Sequence, residues 1–279
     1  MTDPTPFAAP DETPSVEANA SAAGATPREP QTADHGREAG ARKGRLDRLR
    51  DRWRRTRTVL QAPRVEIEVH GDEDVLRIYR AFTARHRRFK VTSAKRWGVA
   101  LLRLPPTANE YFKTVSRQAR RNRVKAVEAG YRYVEVAPLD HVDEILEINQ
   151  SAPSRQGRPM DSLYVERAEV EAAFGRRPKI HGIVDASGRL RAYADLYDIG
   201  GAYTFAYLIG HADDLPHGIM YLLMGEIVRA CIEARRSDGS PTWLMADTFW
   251  GASPGLAYFK DRTGFRPFTV TWVWSDKAG

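Results

Sequence analysis

Large apolar side chains are almost absent from residues 1–43, where Ala, Pro, Thr, Glu and Gly dominate, and they become periodic from residue 65 onward. A segment that cannot bury apolar surface cannot offset the entropy of ordering, so residues 1–43 read as a disordered tail. The run Val65-Glu66-Ile67-Glu68-Val69 alternates as a strand does, and residues 72–86 set Val75, Ile78, Tyr79 and Phe82 on one helix face. Residues 98–104 predict a second strand, stopped by Pro105-Pro106. Residues 107–129 predict one long helix with Gly130 as its C-terminal stop. A strand over 131–136, an amphipathic helix over 139–150, a polar loop over 151–159 and a helix over 161–174 complete the first half.

The second half is richer in strands. Residues 179–185, 189–197 and 202–209, joined by turns at 186–188 and 200–201, predict an antiparallel meander at the centre of the sheet. A helix over 215–235, a strand over 242–247, a helix over 254–263 and a strand over 265–274 follow. This order predicts an α/β fold with a mixed, mainly antiparallel sheet flanked by helices, occupying residues 61–279. No repeat of fixed period occurs.

Charge changes the picture next. The 279 residues carry a net charge of +7, and of the 43 basic residues eight are Lys and the rest Arg, the side chain whose planar fork suits phosphate and carboxylate. Residues 1–43 are net acidic, whereas residues 44–58 (Gly-Arg-Leu-Asp-Arg-Leu-Arg-Asp-Arg-Trp-Arg-Arg-Thr-Arg-Thr) hold seven basic residues against two acidic ones. Residues 44–60 therefore read as a basic linker helix, able to lie on an acidic surface or simply to face solvent. The lone Cys231 excludes an internal disulfide framework and a cysteine-built zinc site, and no His, Asp or Glu set has metal spacing. No run of apolar residues is long enough to span a bilayer and the N-terminus has no secretory pattern, so a soluble cytoplasmic protein is expected.

Candidate chemistry sits in three places. Lys113, Arg117, Arg120, Arg121, Arg123 and Lys125 fall in one acid-free stretch. On a helix, Lys113, Arg117, Arg120, Arg121 and Lys125 share the face opposite Phe112, Val115, Ala119 and Ala126, a stripe suited to phosphate or to solvent alike. Arg123 falls beside the apolar face, where it needs an anion or a carboxylate. Asp213 or Asp214 could cap the helix that Pro216 opens, leaving amides near His217 and Gly218 for a pyrophosphate. Asp195, Tyr207 and Asp247 lie on or at the ends of strands, where a carboxylate or phenol can take a proton from an amine. Tyr193, Tyr197, Tyr203, Phe205 and Tyr207 suggest an aromatic-lined cleft. Cys231, at helical spacing with Met220, Leu223, Met224 and Ile227, reads as core packing. No Walker loop, Gly-x-Gly-x-x-Gly or Gly-x-Ser-x-Gly is present.

These residues carry a resemblance. The helix Ser116-Arg117-Gln118-Ala119-Arg120-Arg121-Asn122-Arg123-Val124-Lys125, ending Glu128-Ala129-Gly130 before a strand, resembles the Arg-rich helix of FemAB-like proteins, a branch of the Gcn5-related N-acetyltransferase (GNAT) superfamily. So does the tail, in which Asp247-Thr248-Phe249-Trp250-Gly251 precedes Gly255-Leu256-Ala257-Tyr258-Phe259-Lys260-Asp261-Arg262-Thr263-Gly264-Phe265-Arg266-Pro267. The resemblance implies a GNAT-like fold and transfer of an acyl or aminoacyl group, from an acyl-CoA thioester or an aminoacyl-tRNA, to a small-molecule amine acceptor without a metal. It implies donor contacts at Lys260, with Arg120, Arg121 and Arg123 on the Arg-rich helix. The run Gly210-His211-Ala212-Asp213-Asp214-Leu215-Pro216-His217-Gly218 departs from the Gly-rich pyrophosphate cradle of acetyl-CoA-dependent members. The basic helices would suit tRNA phosphates, and a basic RNA-binding protein on a catalytically inactive copy of the fold is the alternative.

Overall fold

The Val-Glu-Ile-Glu-Val alternation forms β1 (Arg64–Val69), which buries Ile67 and Val69 and leaves Arg64 and Glu66 toward solvent. In the computed structural model, described for residues 61–86, 92–153, 160–249 and 252–276, it is an outer strand of one eight-stranded sheet. The other strands are β2 (Val99–Arg103), β3 (Arg132–Val136), β4 (Ile180–Val184), β5 (Leu190–Asp198), β6 (Ala202–Gly210), β7 (Trp243–Thr248) and β8 (Arg266–Trp274), in the order β1-β8-β2-β7-β6-β5-β4-β3. The pairs β1–β8 and β6–β7 are parallel and all the others antiparallel. The fold is therefore a mixed, mainly antiparallel α/β sheet, with the expected β4–β5–β6 meander in place. The meander lies to one side of the sheet, however, and the middle is the β7–β6 junction, because β3 extends the meander outward.

One face is covered by α2 (Ala108–Thr114), α3 (Arg117–Glu128), α7 (Ile219–Glu233) and α8 (Pro254–Arg262), which share a core with Leu102, Ala194, Phe205, Leu208 and Leu244. Helix α7 is apolar on nearly every side, as a helix enclosed by other elements must be, and Ile219, Leu223, Met224 and Ile227 are fully buried. Cys231 belongs to this core, and burial pushes its thiol up to about 12, which leaves it a packing residue.

The opposite face is covered in two blocks. Helix α1 (Glu73–Thr83) packs Val75, Ile78 and Phe82 on β1, β2, β7 and β8. Helices α4 (Val142–Gln150), α5 (Ser162–Val165) and α6 (Arg167–Phe174) lie over the meander, where Ile145, Ile148, Val170 and Phe174 meet Ile180, Leu190, Tyr193 and Ile209.

Three expected helices differ from their sequence reading. The segment 107–129 is two helices, because Val115 and Ser116 are extended and the Ser116 hydroxyl accepts from the Ala119 amide at 3.1 Å, starting α3 afresh. The apolar spacing stays in phase across that break, so periodicity alone passes over it. Gly130 does end α3 in a left-handed conformation, with its own amide bonded to Val127 and that of Tyr131 to Ala126. The segment 161–174 is broken at the extended Glu166. Helix α7 begins at Ile219, after a 3₁₀ turn over Ala212–His217, and has no side-chain cap. The tail over 1–43 and the basic segment over 44–60 lie outside the described residues. Among the described residues no helix is long and apolar enough to cross a membrane.

Candidate functional site

The registered pairing of β6 with β7 runs only from Ala202↔Trp243 to Thr204↔Met245, although β6 continues to Gly210 and β7 to Thr248. Two parallel strands thus part toward their C-terminal ends in the middle of the sheet. On the other side of β6 the register with β5 skips Ala206, since Asp195 pairs with Tyr207 and Leu196 with Phe205. A bulge at the edge of a gap re-aims side chains and releases backbone polar groups from the ladder. The clefts of open α/β sheets form at such interruptions near the carboxyl ends of strands.

The sequence candidates fall into two groups that flank this seam. The first is Asp195 with Tyr207. Asp195 is 4% exposed and its carboxylate lies 3.1 Å from Nε of Arg177, a residue of the α6–β4 connection. The Arg177 guanidinium stacks 3.6 Å above the Tyr197 ring. Burial raises the Asp195 carboxyl to about 6 against the lowering effects of Arg177 and the Leu196 amide. Burial also raises Tyr207, whose ring lies against Tyr164, Phe174 and Tyr193, so this phenol stays protonated. Tyr197 packs with the α1 block and Tyr207 with the α4–α6 block, which puts Asp195 and Arg177 at the boundary between the two covers.

The second group stands where β7 ends. Asp247 has φ +52°, a left-handed backbone that L-residues other than Gly adopt at a cost, and among the described residues no other non-glycine has a positive φ. Its carboxylate forms an ion pair with Lys95. Lys260, on α8, is 1% exposed and donates to the Thr248 carbonyl at 2.8 Å, with the Phe249 ring 5.9 Å away. Burial lowers this ammonium to about 8, opposed by the charge of Asp247 and assisted by that of Lys95. An ammonium so enclosed does not present itself at the surface, where donor phosphates were expected to meet Lys260.

The other expectations fare differently. Asp214 caps no helix. It is buried, receiving the Tyr131 hydroxyl at 2.5 Å and Nε of Arg191 at 2.6 Å, which ties the start of β3 and strand β5 to the loop after β6. His217 is exposed, but Gly218 is buried and left-handed, and a Cβ on it would lie 2.3 Å from the Asn122 carbonyl oxygen of α3. A carbonyl and two nearby acids are poor surroundings for a pyrophosphate. Arg123 finds the carboxylate alternative, with Nη2 2.7 Å from Glu226 and the guanidinium 4.6 Å over Phe112. Arg120 donates to the Phe112 carbonyl at 3.0 Å and the Val115 carbonyl at 2.8 Å, satisfying the end of α2, and Lys125 donates to the Pro216 carbonyl at 2.8 Å. Arg117 and Arg121 remain exposed on α3, beside Val124 and Val127.

The five aromatic residues do not line one cleft. Tyr203 and Phe205 belong to the core beneath α7, while Tyr193, Tyr197 and Tyr207 serve the other face. Sequence reasoning missed Arg177 and Lys95 altogether, since an Arg in a Gly-Arg-Arg-Pro loop and a Lys in a polar connection carry no local signal. A pocket of about 410 Å³ lined by Arg103, Leu104, Pro105, Pro106, Arg235, Gly239 and Thr242 opens by the start of β7, away from the parted ends of the strands. Among the described residues no group of three or more His, Cys, Asp or Glu is arranged to hold a metal ion.

No family model matches the chain, and no curated protein does. Solved structures similar to it include a domain assigned as the C-terminal DUF2156 domain of a lysylphosphatidylglycerol synthetase from Agrobacterium fabrum, at 16% identity and TM-score 0.42, covering 61% of this chain and 57% of that one. The L-PGS of Bacillus licheniformis matches at 14% identity and TM-score 0.42, over 62% and 59% of the two chains. A conserved protein of unknown function from Bacteroides thetaiotaomicron matches at 11% identity and TM-score 0.42, over 60% and 55%. The chain thus spans less than two thirds of each of these structures.

Proposed function

We propose that the protein is an acyltransferase that moves an acyl or aminoacyl group onto an amine acceptor in the gap between β6 and β7. The observation that carries this reading is the parted parallel pair with a displaced acid on one flank and a displaced base on the other, Asp195 near 6 and Lys260 near 8. Acyl transfer to an amine needs little more than that. The amine nitrogen attacks the donor carbonyl, its proton passes to the Asp195 carboxylate, and the carbon–oxygen or carbon–sulfur bond to the carrier breaks as the carrier takes up a proton. The buried Lys260 ammonium and the amide of Ala206, the residue that the β5–β6 register skips, are the groups suited to the developing oxyanion.

Between the two donors considered, aminoacyl-tRNA fits better than acyl-CoA. The 3₁₀ turn that leads into α7 carries Asp213 and Asp214, and Gly218 at its end is pressed on the Asn122 carbonyl, whereas Arg117 and Arg121 are exposed on the outer face of α3, where a phosphate backbone can reach them. The cytoplasm, where charged tRNA is found, is the corresponding setting.

The test pairs binding with turnover. Calorimetric titration with CoA and with bulk tRNA at two salt concentrations should give salt-sensitive binding to tRNA alone, and radiolabelled aminoacyl-tRNA should lose its label to an amine panel. Asp195→Asn should lower turnover by about 10²-fold or more while leaving tRNA affinity intact. Salt-sensitive tRNA binding with no transfer to any amine would instead favour an RNA-binding role, and tight CoA binding would reverse the choice of donor.

A further inference from the structure

Resting on the acyltransferase reading, we propose that the acceptor is a small amine that also carries an anionic group, a carboxylate or a phosphate, and that Arg177 is the residue that selects it.

Arg177 has five N–H donors in a planar fork; Nε reaches a carboxylate oxygen of Asp195, and the Tyr197 hydroxyl is a second hydrogen-bond partner. Stacking on Tyr197 fixes the plane of the fork and blocks one face. Nη2 is buried and has no hydrogen-bond partner among the described residues. Buried donors are nearly always satisfied, and leaving one open is costly, the more so for a charged group. The guanidinium is held from both sides and its side chain is still 21% exposed, so it is neither a loose surface Arg nor a fully spent one.

The neighbouring groups specify the ligand's chemistry. Asp195 beside Arg177 pairs a proton acceptor with an anion receptor on the same floor. Such a pair complements a molecule with an amine and an anion a few bonds apart, the amine turning to Asp195 and the anion completing the fork of Arg177. A neutral amine would leave the fork unfilled. Arg176, the preceding residue, lies 3.9 Å from Asp74 of α1, so the same connection reaches across to the other cover of the seam. The α6–β4 connection thus carries the selective residue to the boundary between the two blocks.

Three small primary amines test this: ethanolamine, glycine and O-phosphoethanolamine, each titrated calorimetrically into the full chain. Glycine or O-phosphoethanolamine should bind at least ~10-fold more tightly than ethanolamine, as one charge-assisted contact in a partly buried site requires, and whichever leads identifies carboxylate or phosphate. The preference should vanish in Arg177→Gln and weaken in Arg177→Lys, which keeps the charge but loses the fork. Because Arg177→Gln leaves Asp195 buried without its partner, Arg177→Gln/Asp195→Asn is measured beside it to separate misfolding from lost recognition. Arg132→Gln, which removes an exposed charge on the outer strand β3, should leave the preference unchanged. Equal affinity for the three probes, or a preference that survives loss of Arg177, would overturn the proposal. Arg177-dependent anion binding without any acyl transfer would preserve it while removing the activity, and transfer to neutral and anionic amines at equal rates would do the reverse.

Discussion

Substituting Gly218 by Ala tests how tightly the loop after β6 is closed. Gly218 has φ +85°, where an L-side chain costs about 1–2 kcal/mol, and its new Cβ would lie 2.3 Å from the Asn122 carbonyl oxygen. That oxygen belongs to the α3 backbone and not to a flexible side-chain end, so the contact is relieved only by moving α3 off α7, which shifts the Arg123–Glu226 pair and the packing of Ala119 and Ala126. Displacing a packed element typically adds about 1–3 kcal/mol, for a total of about 2–5 kcal/mol. Gly188 supplies the control, because it has φ +88° and nothing within 4 Å of an added Cβ, leaving backbone strain alone. In a domain of this size each kcal/mol lowers the melting midpoint by about 2–4 °C. Gly188→Ala should therefore lower it by only a few degrees and Gly218→Ala by several degrees more, read by thermal and denaturant unfolding in parallel. Equal losses in the two variants would mean that α3 does not press on the start of α7, and would reopen that helix end as an anion site.

Three further outcomes are expected. Asp195 is raised from 3.8 to about 6, so the folded state holds an extra proton between those values and stability falls as pH rises through that window, by about 2–3 kcal/mol in all; Asp195→Asn should flatten that part of the pH profile, and parallel denaturation profiles for the two proteins would refute the assignment. Arg120→Gln should cost about 1–2 kcal/mol because it frees the carbonyls at the end of α2, whereas Arg117→Gln and Arg121→Gln should stay within about 0.5 kcal/mol and instead reduce the salt dependence of tRNA binding. Lys260→Met should raise stability at pH 7, because an ammonium lowered from 10.5 to about 8 opposes folding below that range; the gain should shrink as pH rises from 8 to 10.5, and a loss of stability at neutral pH would show that the hydrogen bond to Thr248 outweighs the burial cost.

The sheet was legible where one face of a strand is buried and the other is not, as in β1, and where glycine turns separate runs of alternating residues, as at Gly188 and Gly200. Breaks that preserve the helical phase were not, since Val115 and Ser116 leave helical geometry without shifting the apolar stripe. Arg123 was readable as an inward cation needing a partner, because its angle on the helix is a local property. Glu226 as that partner was not, because 103 residues separate the two. The same distinction separates Asp195, visible as a carboxylate interrupting an apolar strand, from Arg177, which reaches it from a loop. Lys260 was visible as part of a motif, yet its burial depends on how α8 settles against the end of β7.

The placement of costs along the sheet is the reason for putting the chemistry at the seam. Most of this fold agrees with itself: apolar helix faces meet apolar strand faces, and buried polar groups such as Asn149, Tyr131 and Asp214 have partners. Three disagreements cluster. Around the parted strands stand a carboxyl held above its ordinary range, an ammonium held below its own and an Asp in a left-handed backbone. A sequence selected for stability alone would remove such features one at a time, with Asn for Asp195, Met for Lys260 and Gly for Asp247. Their coexistence on the two flanks of one gap is what a site maintained for reaction, at the expense of the fold, produces. Asp247→Gly makes the argument concrete. It removes the strained backbone but also the partner of Lys95 and the charge that favours the Lys260 ammonium, so stability should change by less than about 1 kcal/mol while transfer to the amine falls. Full activity in that variant would reduce the strain to an accident of how β7 turns toward α8.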